Sequence, residues 1–313
     1  MLICKKNSTC ETKVLPIKNC NYYYTLRLAR SKTKTTNDID VFPCCYAVDY
    51  QKPLYTFTYD EIMSSSNIYD KLMSIYYSVT NYPVVDVCKE YANTPDINIC
   101  NFNNDKLLIV DLSFLHNCNI QCSMCTILND DDKKTVEMYF KILNDLKQHN
   151  ISISLTQQGE PFYYKKEIMA FLQALKPNDF VNIVFISNLT MLNDTDINMI
   201  HDIMTNTNIN FICLASIDGI TEETYKKIRR NNLFNKVIHN AKLLIEYNIL
   251  RAVNFVVQDM NIHELLEAYD LWHNCYNINF NDLIINDPYD DPGHHYRIKN
   301  SEIYKRFLKI KGN

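Results

Sequence analysis

Residues 107–125 read Leu107-Leu-Ile-Val-Asp-Leu112, then Ser-Phe-Leu-His-Asn, then Cys118-Asn-Ile-Gln-Cys122-Ser-Met-Cys125. The first six residues form an apolar run of strand length, and a loop with three cysteines follows directly. Further along the chain the same unit recurs. Short apolar, β-rich runs at 151–155, 182–186, 211–217, 252–257 and 279–285 alternate with helical patterns at 132–149, 165–175, 194–206, 221–248 (in two pieces) and 262–275. Six such βα units predict an α/β fold, a partial (β/α)6 barrel of parallel strands, with ligands on the loops at the carboxyl ends of the strands.

The flanks read differently. Residues 1–105 are loop-rich and Tyr-rich and carry seven of the twelve cysteines, at 4, 10, 20, 44, 45, 88 and 100, with one helical pattern at 59–77. They are expected to form a small cysteine-containing module ahead of a barrel at 106–289, and residues 290–313 a carboxyl-terminal loop and helix, helical at 301–310.

Composition narrows the function. With 47% hydrophobic and 22% charged residues over 313 positions, the chain has the material for a sizeable core. Lys and Arg total 32 against 36 acidic residues, a net charge of −4 with no basic block, which disfavours a phosphate-tracking nucleic-acid surface. No apolar run approaches the roughly 18 residues of a membrane span, so the expectation is a cytoplasmic protein whose cysteines are thiols or metal ligands rather than disulfides. Asparagine is abundant and glycine numbers only four, a bias we read as codon drift.

Three thiolates in one loop can hold three irons of a [4Fe–4S] cluster and leave the fourth iron to an exogenous ligand. A zinc site completed by His116 is the alternative, although the paired C-x₂₋₄-C and H-x₃₋₅-H elements of structural zinc are missing. The C-x₃-C-x₂-C spacing after the first strand resembles the radical S-adenosylmethionine (SAM) enzymes. Later loops resemble them in order. Gly159-Glu160-Pro161 follows the second strand, with Gln158 in place of the family's first glycine. Ser187-Asn188-Leu189 follows the third strand, where many members have Thr-Asn-Gly, and Ser216-Ile-Asp218-Gly219 follows the fourth. Met124 stands where the family often has an aromatic residue.

The resemblance implies a [4Fe–4S] cluster on Cys118, Cys122 and Cys125, with SAM on its open iron and cleaved by one electron to a 5′-deoxyadenosyl radical. It further implies SAM contacts from Gly159, Glu160, Ser187, Asn188, Ser216, Asp218 and Arg229, the last gripping a carboxylate, with Arg230 as its neighbour. An electron donor such as flavodoxin or ferredoxin follows from the chemistry. Cys20, Cys44, Cys45, Cys88 and Cys100 look like a twitch-type (shortened SPASM) element placed before the barrel, implying an auxiliary [4Fe–4S] cluster, with zinc or free thiols as alternatives. Cys213 and Cys275 are expected to be buried, Trp272 to be a core or interface residue, and Asp287 to His295 to be a Pro/Asp turn near the barrel mouth. An open mouth suits a peptide or protein substrate. The competing classes are a non-catalytic iron–sulfur or zinc protein, and radical modification of RNA or a small metabolite.

Overall fold

The computed structural model describes residues 25–31, 37–42, 53–78, 109–127, 129–155, 158–283 and 294–312. Its centre is one open sheet that begins with three amino-terminal strands, β1 (Thr25–Arg30), β2 (Ile39–Phe42) and β3 (Tyr55–Phe57). Strands β4 (Ile109–Ser113), β5 (Ser152–Leu155), β6 (Asn182–Ser187), β7 (Asn210–Ser216), β8 (Leu250–Val256) and β9 (Asn279–Leu283) run parallel in sequence order, the arrangement of a partial barrel that does not close. The strand order across the sheet is β3-β2-β1-β4-β5-β6-β7-β8-β9. All six expected strands are present, each within two residues of its expected start.

Strands β6, β7 and β8 carry apolar residues on both faces, as strands at the centre of a largely buried parallel sheet do. Val110, Leu112, Ile153, Ile183, Phe185, Phe211, Val253 and Phe255 point to the helices and are at most 2% exposed. The opposite face holds a small apolar cluster of Val184, Ile212, Leu214 and Ala252, with Ile186 packed against it. In register with these lie polar residues: Asp111 beside Ser154, and Ser216, Asn254 and Asn281 in one row.

The amino-terminal stretch is where the structure differs most from the sequence reading. Its described residues do not stand apart. Strand β1 (Thr25–Arg30) pairs parallel with β4, placing Arg27 beside Asp111 and Leu28 beside Leu112. Strands β2 (Ile39–Phe42) and β3 (Tyr55–Phe57) add antiparallel, and Leu26, Leu28, Ile39, Val41 and Phe57 are buried in the same core as the barrel strands. Three short strands separated by long polar connections leave too little periodic signal to separate from loop. The helical pattern at 59–77 resolves into helices Tyr59–Ser64 and Ile68–Ser78, the first opened by a Thr58–Glu61 capping box.

The helices fall close to their expected places, at Lys133–Asp145, Lys165–Gln173, Asp194–Thr207, Glu222–Arg229, Phe234–Glu246 and Glu302–Lys311. The pattern at 262–275 is a 3₁₀ turn, a short α-helix and a π turn in succession. Trp272 is buried there, and Cys275 is exposed, against the expectation that it is buried. Cys213 lies fully buried in β7. Of the Pro/Asp turn, residues 287–293 lie outside the described residues, and His294–Asn300 is a further short helix.

Asparagine has a structural use in this glycine-poor chain. Asn150, Asn178, Asn208, Asn248 and Asn277 all hold a left-handed backbone, with φ between 52 and 68°. Such positions usually call for glycine, and asparagine is the L-residue that tolerates them best. Asn208, for example, ends helix Asp194–Thr207 in this conformation.

Candidate cofactor site at the strand ends

The cysteine loop leaves β4 at Ser113 and is clamped before it reaches its first cysteine. Asp131, its side chain fully buried, accepts hydrogen bonds from the backbone N–H of His116 (2.9 Å) and Asn117 (2.9 Å) and from the Tyr164 hydroxyl (3.0 Å). Arg30 of β1 ion-pairs with the same carboxylate, donates from Nε to the Phe114 carbonyl at 3.0 Å, and reaches Asp130 at 2.8 Å. Asn129 then mimics a strand partner. It accepts from the Cys118 N–H at 2.8 Å and donates to the Cys118 carbonyl at 2.9 Å.

The loop after β5 closes onto this one. Gly159 N–H donates to the Leu115 carbonyl (3.3 Å) and Glu160 N–H to the Asn117 carbonyl (2.9 Å). A Cβ at Gly159 would lie 2.2 Å from the Asn117 oxygen and 2.5 Å from the His116 carbonyl carbon and oxygen. The glycine is therefore required by backbone packed against backbone, and its own φ is not positive.

Glu160 is 1% exposed and points into the sheet end rather than to solvent. It accepts from Ser187 Oγ (2.7 Å) and from the backbone N–H of Asn188 (2.7 Å), tying the β5 loop to the β6 loop. Burial pushes its carboxyl up to about 7, against the pull of these donors and of the Arg229 charge. A folded value above the unfolded one of about 4.5 means that folding favours the protonated form, so this contribution is complete below about pH 4.5 and is lost as pH rises through 7. Unfolding free energy should accordingly fall by about 3 kcal/mol across that window, and Glu160→Gln should flatten that part of a urea-denaturation pH profile.

Beyond Ser187 the chain makes a tight turn. Leu189, where the resembling family has glycine, holds φ 61° and is fully buried. Its N–H donates to Ser187 Oγ at 2.9 Å, and its carbonyl accepts from the buried Asn240 at 2.9 Å, which holds a conformation costing about 1–2 kcal/mol for an L-residue. Asn188 donates to Asn119 Oδ1 at 3.2 Å and lies 3.7 Å from Cys118 Sγ.

On the other side, Ser123 N–H donates to the Ile228 carbonyl at 2.8 Å, fixing the cysteine loop to the end of helix Glu222–Arg229. Arg229 is 7% exposed. Its Nη2 ion-pairs with the fully buried Asp218 at 2.7 Å and its Nη1 donates to Cys122 Sγ at 3.5 Å. Burial works against its charge, but Asp218 and Cys122 outweigh that effect and raise its pKa, so it stays protonated. Arg230 instead caps the helix in a left-handed conformation and is exposed. Buried Glu264 holds the other end of this helix, accepting from Ile220 N–H (2.8 Å), Thr221 Oγ1 (2.5 Å) and Thr224 Oγ1 (2.6 Å).

These residues fit a cluster with an exogenous ligand. Cys122 is buried, and Cys118 and Cys125 are partly so. Burial raises the thiol of Cys118 to about 11 and also raises that of Cys122. As bare thiols Cys118 and Cys122 therefore stay protonated near neutrality, and bound metal would hold them as thiolates. No group of three His, Cys, Asp or Glu among the described residues is placed to hold a single ion, whereas a cluster spreads three thiolates over three irons. Side-chain N–H donors already face two of the sulfurs, and Arg229 Nε is buried without a partner among the described residues.

The structure thus gathers Cys118, Cys122, Cys125, Gly159, Glu160, Ser187, Asn188, Asp218 and Arg229 into one connected site, with Ser216 half-buried at the end of β7. Cys20, Cys44, Cys45, Cys88 and Cys100 lie outside the described residues. Arg30, Asn129, Asp131, Tyr164 and Glu264 were not singled out from the sequence. The Asn129-Asp-Asp-Asp132 run just before a helix was the available signal, since Asp132 is that helix's N-cap.

Among the described residues no helix is long and apolar enough to cross a membrane. Curated relatives include a GTP 3′,8-cyclase of Clostridium perfringens (strain SM101 / Type A), 22% identical over 208 residues, covering 64% of this chain and 62% of that protein. A probable GTP 3′,8-cyclase of Saccharolobus islandicus (strain Y.N.15.51 / Yellowstone #2) is 21% identical over 170 residues, 52% of each chain. This chain therefore spans between about half and three-fifths of the length of these relatives. Among solved structures, native anSMEcpe with bound AdoMet is 19% identical, with a TM-score of 0.46, over 64% of this chain and 58% of that one. The profile of the Radical SAM superfamily matches residues 112–271, just over half of the chain, from the end of β4 through the loops after β4 to β8 to the π turn before β9, and the chain belongs to that superfamily.

Proposed function

We propose that this protein is an enzyme that reductively cleaves SAM at a [4Fe–4S] cluster on Cys118, Cys122 and Cys125 and abstracts hydrogen from a peptide or protein segment. The observation that supports it best is the cysteine loop itself, clamped at both ends and flanked by N–H donors to two sulfurs. The bound group supplies the low-potential electron and the radical. The protein's own residues position and enclose. Cys118, Cys122 and Cys125 hold the irons, and Asp131 and Asn129 fix the loop that carries them. Backbone carbonyls of the Gly159–Glu160 turn take the amino group of SAM, and Ser216 the ribose. Arg229, through N–H groups not given to Asp218, takes the carboxylate. Ser187, Asn188 and Asp218 hold these groups in place.

The helix-free face of the sheet favours a peptide over a nucleoside triphosphate. Its one arginine among the described strand residues, Arg27, faces the Asp111 carboxylate at 3.7 Å. A triphosphate calls for several uncompensated cations, whereas the row of Ser216, Asn254 and Asn281 beside an apolar patch offers amide-type hydrogen bonds. The GTP 3′,8-cyclase relatives support a second reading, in which GTP is the substrate. The amino-terminal cysteines are proposed to hold an auxiliary cluster. Because β1 is part of the barrel sheet, substituting these cysteines tests this better than removing residues 1–105.

The test is anaerobic reconstitution, reduction with dithionite and measurement of 5′-deoxyadenosine. Formation of 5′-deoxyadenosine from SAM, stimulated by a pool of synthetic peptides and indifferent to GTP, is the expected result. Cyclised GTP product would decide for the second reading, and no SAM cleavage under any condition would refute both.

A further inference from the structure

The Arg229 side chain has two partners of opposite consequence. Its Nη1 donates to Cys122 Sγ at 3.5 Å, and its Nη2 is ion-paired with Asp218 at 2.7 Å. The two charged side chains are 8% and 0% exposed, so solvent screens neither. An N–H donor and a positive charge beside a ligating sulfur stabilise added electron density on whatever that sulfur binds, and hydrogen bonds to sulfur and local net charge are among the factors that set iron–sulfur potentials. Arg229 alone would make such a centre easy to reduce and correspondingly weak as a reductant. Asp218, paired with the neighbouring Nη2, offsets the charge and leaves the Nη1–H donor in place. Its carboxylate is itself fixed by the Val256 N–H at 2.8 Å, and its carbonyl by buried Asn261 at 2.9 Å, so the offset is built into the fold.

We infer that the Asp218–Arg229 pair sets the reduction potential of the cluster ligated by Cys122, with Arg229 as a positioning residue for that sulfur and Asp218 as its counter-charge. This rests on the cluster assignment proposed above. Its readout is a potential measured without SAM or substrate, so loss of SAM contacts from Arg229 does not enter.

The experiment is an EPR-monitored potentiometric titration of reconstituted full-length protein. Asp218→Asn is expected to favour reduction at least tenfold, a positive shift of about 59 mV for one electron. Arg229→Gln is expected to shift the midpoint negative by a similar factor, and the double variant to return to within about threefold of wild type, the compensation expected of coupled charges. Unmoved midpoints, or shifts of the same sign in both single variants, overturn the inference while leaving the cluster in place. If Asp218→Asn does not accumulate as folded protein, the sign of the Arg229→Gln shift decides. Wild type without any cluster signal refutes the cluster assignment itself, and the inference with it.

Discussion

Arg229→Ala is expected to lower the folding stability of the metal-free protein by about 3–5 kcal/mol, the cost of removing one partner of a buried ion pair. The stranded group is Asp218, fully buried and 2.7 Å from the guanidinium in the intact protein. Burial already raises the Asp218 carboxyl, and the arginine is the charge that opposes this. Replacing both residues, by Asp218→Asn with Arg229→Met, should recover most of the loss, because the double variant leaves no buried charge unpaired. Urea unfolding under anaerobic conditions gives the comparison. A loss below about 1 kcal/mol for the single variant would show that Asp218 finds other compensation. The same change should weaken SAM binding by about 1.5–3 kcal/mol if the guanidinium also holds the SAM carboxylate.

Gly159→Ala is the second large effect. The added methyl would sit 2.2 Å from the Asn117 oxygen, and the atoms in its way are backbone, which cannot swing aside. The β5 loop must move off the cysteine loop, with loss of the hydrogen bonds from Gly159 N–H to Leu115 and from Glu160 N–H to Asn117. Overpacking and two lost hydrogen bonds together give about 3 kcal/mol or more. Because residues 116–117 lead directly into Cys118, iron bound after reconstitution should fall as well. Wild-type stability and iron content in this variant would contradict the packing described at this junction.

The sequence announced what local chemistry specifies. Continuous apolar runs between helical patterns mark parallel strands, and β4 to β9 appear where those runs lie. The C-x₃-C-x₂-C spacing and the glycine in a nearly glycine-free chain pointed to the loops that meet. The reason for Gly159 was not legible, since its need for space arises from Asn117, a residue 42 positions earlier. The resemblance singled out Arg229 over its neighbour Arg230 by offset alone, and the physical difference between them lies in the fold, which sets one against Cys122 and the other in solvent. The long-range clamp was also hidden. Arg30 and Asp131 are about a hundred residues apart, and only the pairing of β1 with β4 brings them together. Strands β1 to β3 went unseen because strands of three to six residues between polar connections carry too few alternations to register.

Substituting Cys118, Cys122 and Cys125 together by alanine and comparing EPR spectra of the reconstituted, dithionite-reduced proteins tests the central assignment most directly. The wild type should show a reduced-cluster signal that changes on addition of SAM. The triple variant should lose that SAM-sensitive signal and about four irons per chain, while any cluster held by the amino-terminal cysteines would remain. Unchanged iron content together with an unchanged SAM-sensitive signal in the triple variant would contradict the assignment of the cluster to this loop.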